Sequence, residues 1–297
     1  MSVRLGEEKM DGKSRLAERV RARTLTIAPG VYDMISARIA DGLGFDAIYM
    51  TGYGVTASHL GLPDAGLASY TEMESRARMI ATGTTTPLIA DADTGYGGLL
   101  NVQRTVRGYE AAGVAAIQLE DQEFPKKCGH TEGRRVISLD DMVRKIEVAV
   151  ASRKDPDFLI IARTDSRTSL GLDEALRRAD AYRAAGADIL FVESPEDEAE
   201  FERIGQSIDA PLLANMVESG RSSVLSPERL TEFGFAIALY PGTAFMAAAH
   251  TLSQVYSHLR EHGTSLDMEQ PLNTLSQMNE TMGFEAVWEF DKRWSET

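Results

Sequence analysis

Cysteine is almost absent from this sequence of 297 residues; there is one, Cys128. A single thiol excludes an internal disulfide framework and makes a reducing cytoplasm the expected compartment. Positive charge is also in short supply, with 31 Lys and Arg against 45 Asp and Glu and a formal net charge of −14. That balance excludes the clustered basic surface that nucleic acid requires. Long hydrophobic runs are missing too. The most apolar stretch, FGFAIALYPGTAFMAAAH, is broken by Pro241, Gly242 and Thr243, so no membrane span is expected. The start, MSVRLGEEKMDGKSRLAERVRART, is charged throughout and lacks the apolar core of a secretory signal. No strand-like run is followed by G-x-G-x-x-G, which argues against a doubly wound dinucleotide-binding sheet, and no H-x-H or C-x-x-C spacing points to zinc.

What the sequence does have is a rhythm. Continuous apolar runs recur at Leu25–Gly30, Ala47–Gly52, Pro87–Gly95, Ala115–Asp121, Phe158–Asp165, Asp188–Ser194, Pro211–Met216 and Phe235–Gly242. Runs without polar alternation suit parallel strands covered on both faces. Between them lie segments of helical period. Val102, Val106 and Tyr109 share a face behind Asn101 as an expected N-cap; Leu139, Met142, Val143, Ile146 and Val150 do so behind Ser138, and Leu172, Leu176, Ala179 and Tyr182 form a third stripe. Gly113 and Gly186 end AAG triplets that suit helix C-termini. Eight strands alternating with helices predict a (β/α)8 TIM-type barrel as a single domain over 1–297. A helical extension of about fifty residues, from about 244 to 297, exceeds one closing helix, and a helix reaching a neighbouring subunit is expected.

Barrels of this kind place chemistry at the carboxyl ends of their strands. Those ends carry Tyr49 and Thr51, Asp91 and Asp93, Glu120 and Asp121, Arg163 and Asp165, Glu193, Asn215 and Tyr240. Asp91 and Asp93, two apart, are expected on one side of an extended strand, and with Glu120 to form an acidic cluster unpaired by any base nearby in sequence. Such a cluster suits a hard divalent cation, Mg2+ first and Mn2+ second. Capping or arginine pairing is the alternative for each carboxylate alone. The glycine-rich turn Thr51–Gly52–Tyr53 offers backbone N–H groups to a substrate carboxylate.

Cys128 stands in EDQEFPKKCGH, after Lys126 and Lys127 and before Gly129 and His130. Nearby cations are expected to lower its pKa toward neutrality, making it a proton donor or acceptor. Gly129 is expected to make the segment flexible, as a lid.

With these motifs in order, from IYMTGYGVTASHLGLPDAG through PLIADADTGYGG, IQLEDQEFPKKCGH, IARTD and FVE to LLAN, the chain resembles the isocitrate lyase/phosphoenolpyruvate mutase superfamily over roughly Ala28 to Tyr240. The resemblance implies a (β/α)8 barrel whose last helix is exchanged in a homotetramer, a dimer of dimers. It implies Mg2+ near Asp91, Asp93 and Glu120, partly through water, and a 2-oxo acid or its enolate at the metal and the Thr51–Gly52–Tyr53 turn. Arg163 would stabilise the oxyanion, with Tyr49 and Asp64 as helpers, while Glu193 and Asn215 line the substrate pocket. Lys126–His130 would be a gating loop with Cys128 as general acid. The implied reaction is cleavage of a C2–C3 bond, with Tyr49 and a metal-bound water both standing as candidate bases. KKCGH separates the chain from the phosphonate branches, which carry residues such as Asn-Ser in place of Cys128–Gly129. Pro241 stands where oxaloacetate hydrolases tend to carry serine, whereas NMVESG departs from the Thr-Glu-Phe-Gly of methylisocitrate lyases. The expected substrate is therefore a methyl-bearing 2-hydroxy acid, 2-methylisocitrate or 2,3-dimethylmalate. Oxaloacetate hydrolysis or decarboxylation is the alternative, and a non-catalytic binding barrel the remote one.

Overall fold

The computed structural model describes residues 11–131 and 133–295. The first ten residues of the charged start, where no secretory signal is expected, lie outside the described residues. Each expected run forms a strand: β1 Thr26–Val31, β2 Ile48–Met50, β3 Leu88–Asp91, β4 Ala116–Glu120, β5 Leu159–Thr164, β6 Ile189–Val192, β7 Leu212–Asn215 and β8 Phe235–Tyr240. Every neighbouring pair is parallel, and β8 returns to β1 with Thr26 opposite Ile237, closing the barrel.

Side chains on each strand alternate between two cores. Tyr49, Ile89, Ala116, Leu159, Ile161, Ile189, Phe191, Leu213, Ile237 and Leu239 fill the barrel interior. Their immediate neighbours, such as Ile48, Leu88, Ile117, Ile160, Leu190 and Ala238, pack outward against the helices. This period of two decides which strand-end residues face the barrel axis. Asp91, Glu120, Arg163, Glu193 and Asn215 share the parity of the interior set, whereas Asp121 has the opposite parity. Asp121 is correspondingly held between strand and helix, accepting from Thr164 Oγ1 at 2.7 Å, Tyr182 OH at 2.8 Å and Arg178 Nη1 at 3.0 Å.

The helices follow the expected stripes. Val102, Val106 and Tyr109 are buried on Leu99–Ala111, and Met142 and Ile146 on Leu139–Ser152, whose N-cap Ser138 accepts from the Asp141 N–H. Asn101 is not the N-cap. The helix starts earlier, and Asn101 Oδ1 accepts from the Gly98 N–H at 3.2 Å, because its side chain reaches back over the first turn. Gly113 and Gly186 take φ of +88° and +99°, the left-handed step that turns each helix toward the next strand. The charged N-terminal segment supplies a helix, Gly12–Arg21, whose Leu16, Ala17 and Val20 join the interior core and close the barrel's lower mouth. After β8 come three helices, Thr243–His262, Leu275–Met282 and Phe284–Trp294, none with a buried residue. They expose Leu252, Tyr256, Trp288, Phe290 and Trp294. No helix among the described residues is long and apolar enough to cross a membrane.

Candidate active site

A cavity of about 200 Å3 opens at the carboxyl ends of the strands. Of the sequence-predicted residues, Tyr49, Thr51, Tyr53, Asp64, Asp91, Glu120, Lys126, Cys128, Gly129, His130, Arg163 and Asn215 line it. Gly52, Asp93 and Glu193 stand just behind. A Cβ on Gly52 would overlap Asp91 Oδ2 and approach its Cγ to 3.0 Å, so only glycine lets the turn lie against that carboxylate. Thr51 caps the short helix Gly52–Val55, its Oγ1 accepting from Gly54 N at 3.4 Å.

Two expectations about the acidic cluster are corrected. Asp91 and Asp93 do not lie along one extended strand. β3 ends at Asp91, and Asp93 adopts φ +46° in a turn where its N–H donates to Asp91 Oδ1 at 3.0 Å. Nor is the cluster unpaired. The buried Lys126 ammonium lies 2.5 Å from Asp64 Oδ1 and 2.6 Å from Asp93 Oδ1. Burial alone would lower the Lys126 pKa, but Asp93, Glu120, Asp91 and Asp64 outweigh it and hold the ammonium well above the ordinary lysine value. Burial pushes Asp93 up to about 7 against the pull of Lys126, and pushes Glu120 well above the carboxylate range against Arg163.

Among the described residues no three His, Cys, Asp or Glu side chains converge tightly enough to enclose a metal ion by themselves. The donors nevertheless suit a hydrated hard cation. Asp91 and Glu120 both face the cavity, and Glu120 Oε1 is buried without a hydrogen-bond partner. Asp93 Oδ1 meets Lys126 at ion-pair distance but has no donor in hydrogen-bond geometry. Oxygen donors with waters completing the shell are what Mg2+ prefers.

Arg163 faces these carboxylates. Its Nε and Nη2 each donate to Asp165 at 2.9 Å, while Glu120 Oε2 is 3.5 Å and Glu193 Oε2 3.7 Å away. Burial opposes its charge, but Asp165, Glu193 and Glu120 keep it fixed. Tyr49 OH donates to Gln118 Oε1 at 3.2 Å inside the barrel. Burial, with Asp91 nearby, lifts the Tyr49 pKa well above the ordinary tyrosine value, which disfavours the phenolate needed for base catalysis.

The environment of Cys128 also differs from expectation. Burial raises its pKa above the ordinary thiol value, with the His130 backbone N–H pulling the other way. The cations flanking it in sequence point elsewhere. Lys126 faces Asp64 and Asp93, Lys127 Nζ donates to the Gly133 carbonyl at 3.3 Å, and His130 Nε2 lies 3.3 Å from Glu193. Burial lowers the His130 pKa in spite of Glu193, leaving a neutral imidazole near pH 7. Gly129 serves close packing rather than slack. A Cβ there would run into Arg163 Nη2 and come within 2.8 Å of Glu193 Cδ.

The other wall holds Pro241 and the NMVESG segment, used above to separate the branches, together with residues that sequence reasoning did not single out. Val217, Glu218, Leu239, Pro241, Phe245 and Met246 line the cavity from β8 and the segments after β7 and β8. Phe245 packs against Tyr53 with tilted rings whose centroids lie 5.3 Å apart. Of these six residues only Glu218 is charged. Leu239 was readable from strand parity; Phe245 and Met246 stand on a helix start that carries no motif.

The family model described as phosphoenolpyruvate phosphomutase matches residues 16–260. The 2,3-dimethylmalate lyase of Eubacterium barkeri is 46% identical over 286 residues, 96% of this chain and 99% of that protein. The 2-methylisocitrate lyase of Aeropyrum pernix is 41% identical over 278 residues, 94% and 88% of the two. Among solved structures, oxaloacetate acetylhydrolase with 3,3-difluorooxalacetate superposes with a TM-score of 0.92 at 37% identity, covering 98% of this chain and 99% of that one. A 2,3-dimethylmalate lyase, described as a PEP mutase/isocitrate lyase superfamily member, gives 0.89 at 36%, covering 96% of each. Phosphonopyruvate hydrolase with oxalate and Mg2+ gives 0.86 at 28%, covering 97% and 100%.

Proposed function

Because the chain belongs to the PEP mutase/isocitrate lyase superfamily and is a carbon–carbon lyase, we propose that it cleaves a 2,3-dimethylmalate-type 2-hydroxy dicarboxylate to pyruvate and a short carboxylic acid. The observation that carries this choice is the division of the cavity. Its polar half, built by Thr51, Asp91, Glu120, Lys126 and Arg163, suits the carboxylate and hydroxyl at C1 and C2. Its other half, with Val217, Leu239, Pro241, Phe245 and Met246, suits a methyl group at C3. A 2-methylisocitrate would bring an additional carboxylate toward these residues, none of which is a cation, and toward the neighbouring Glu218 carboxylate.

In the proposed reaction the proton of the 2-hydroxyl leaves to a base and the C2–C3 bond breaks. C2 becomes the carbonyl of pyruvate, and the electron pair at C3 spreads into the adjacent carboxylate. Cys128 Sγ–H then gives its proton to C3, and the proton taken from the hydroxyl returns to the thiolate, so no water is consumed. A buried, protonated thiol suits this donor role. Tyr49 acts as a neutral hydrogen-bond donor, which leaves the base to a solvent-derived group. Asp91 and Glu120, with Asp93 through water, would hold Mg2+, whose chemistry there is to neutralise charge on the C1 carboxylate and the C2 oxygen. Arg163 carries charge at the same end from a site without reorganisation. Gly129 and Cys128 lie over the cavity as the inner edge of a lid that excludes water. The exposed apolar faces of the three C-terminal helices support an assembly with exchanged helices, for which a homotetramer is the reading, and the single cysteine suits a reducing cytoplasm.

Oxaloacetate hydrolysis is the second reading, favoured by the likeness to the acetylhydrolase structure; Pro241 in the lining, where the serine would stand, counts against it. The test is pyruvate release from 2,3-dimethylmalate, 2-methylisocitrate and oxaloacetate by wild type and Cys128→Ser. Thiol-dependent lysis of the dimethyl substrate is expected. Turnover of oxaloacetate alone, indifferent to Cys128, would refute the proposal.

A further inference from the structure

The segment that carries Cys128 meets the barrel at a second place, outside the cavity. Arg134 is buried, its side chain 2% exposed, and its Nη1 donates to Asp165 Oδ1 at 2.6 Å. Its Nη2 donates to Thr168 Oγ1, also at 2.6 Å. Asp165 is fully buried and is the carboxylate that receives Arg163, through Nη2 on Oδ1 and Nε on Oδ2. Oδ1 is therefore shared by two guanidinium groups, one lining the cavity and one not. On the cavity side Gly129 packs against the same Arg163. The loop thus grips Arg163 directly at Gly129 and indirectly through Arg134 and Asp165.

We propose that Arg134 is a positioning residue that couples the docked Cys128 segment to the aim of Arg163 through Asp165, so that proton donor and oxyanion-holding guanidinium are set together. The inference rests on the lyase reading given above. Arg134 touches no substrate. It adds a second positive partner to a buried carboxylate whose bidentate hold orients the Arg163 fork. A planar guanidinium is needed because it must reach Asp165 and Thr168 at once, a geometry a lysine does not reproduce.

The experiment compares wild type, Arg134→Ala, Arg134→Lys and Arg163→Lys as full chains, with Mg2+ present. It reads kcat and KM for pyruvate release from 2,3-dimethylmalate, the melting temperature, and the rate at which iodoacetamide alkylates Cys128, the only thiol. Arg134→Ala is expected to lower kcat about 10²-fold with a much smaller change in KM, as for a misplaced catalytic group. Alkylation of Cys128 should quicken, and guanidinium ion at a non-denaturing concentration should restore part of kcat to Arg134→Ala but none to Arg163→Lys. Arg134→Lys should recover little. Wild-type kcat in Arg134→Ala beside an impaired Arg163→Lys would overturn this inference alone. A loss of kcat that follows the melting temperature, without guanidinium rescue, would overturn it as well. Unimpaired lysis by Arg163→Lys would overturn both the inference and the reading beneath it.

Discussion

Gly129→Ala isolates the packing of the cysteine loop from everything else in the fold. The residue has no positive φ, so alanine meets no backbone penalty. The added methyl would overlap Arg163 Nη2 and sit 2.8 Å from Glu193 Cδ and 2.9 Å from Glu193 Oε1. Neither neighbour can withdraw cheaply: Arg163 is held by Asp165, and Glu193 Oε2 accepts from Asn215 Nδ2 at 3.1 Å. Overpacking of this kind costs about 1–3 kcal/mol. If the penalty falls only on the docked loop, docking weakens by roughly 5- to 150-fold, since about 1.4 kcal/mol is a factor of ten. Steady-state assays should then show kcat reduced by about one to two orders of magnitude while thermal unfolding is little changed. Wild-type kcat would mean that the loop position described here is not the one in which chemistry occurs. A large drop in melting temperature would mean that the contact belongs to the permanent core rather than to a lid.

Three further outcomes follow from the same geometry. If Cys128 is the proton donor, as proposed, it acts only while pH lies below the thiol pKa, which burial raises, so kcat for lysis should stay flat through neutrality and fall only beyond the ordinary thiol range; an alkaline limb beginning below pH 7 in a kcat profile would contradict a protonated thiol. Val217→Thr adds a hydroxyl to the apolar wall and should raise kcat/KM for 2-methylisocitrate relative to 2,3-dimethylmalate by about tenfold, the worth of one hydrogen bond to a charged group; an unchanged ratio would separate Val217 from specificity. Asp121→Ala leaves Arg178 and Tyr182 without their buried acceptor and should cost about 3–5 kcal/mol in denaturant unfolding; a cost below about 1 kcal/mol would show that the carboxylate is dispensable.

The barrel was legible because parallel strands buried on both faces leave continuous apolar runs, and strand parity carries Asp91, Glu120, Arg163, Glu193 and Asn215 to the barrel axis. Parity fails where the strand stops. Asp93 lies two residues past Asp91, yet its φ of +46° turns it away from the extended direction. The surroundings of Cys128 were illegible for a related reason. Adjacent Lys126 and His130 carry no information about direction, and only tertiary packing sends one to Asp64 and the other to Glu193. The Gly12–Arg21 helix was hidden because three apolar residues, Leu16, Ala17 and Val20, suffice to plug the barrel amid charged neighbours. Pairings distant in sequence, such as Arg134 with Asp165, leave no local pattern at all.

On the proposed reading, the charge around the cavity would make a divalent cation a condition of substrate binding rather than only of turnover. Asp64, Asp91, Asp93, Glu120 and Glu193 surround Lys126 and Arg163, and both cations are already engaged by carboxylates of the protein. A dicarboxylate entering this ring meets more negative than positive charge in a partly desolvated setting, where like charges are costly. The glycine-rich turn at Thr51–Gly52–Tyr53 supplies dipoles but no net charge. Chelation is therefore expected to abolish the heat of oxalate binding in calorimetry, with Mg2+ restoring it, and Glu120→Gln should weaken that restoration while the fold persists by circular dichroism. Oxalate binding of equal affinity with and without chelator would show that Lys126 and Arg163 suffice, and the acidic ring would then need another explanation.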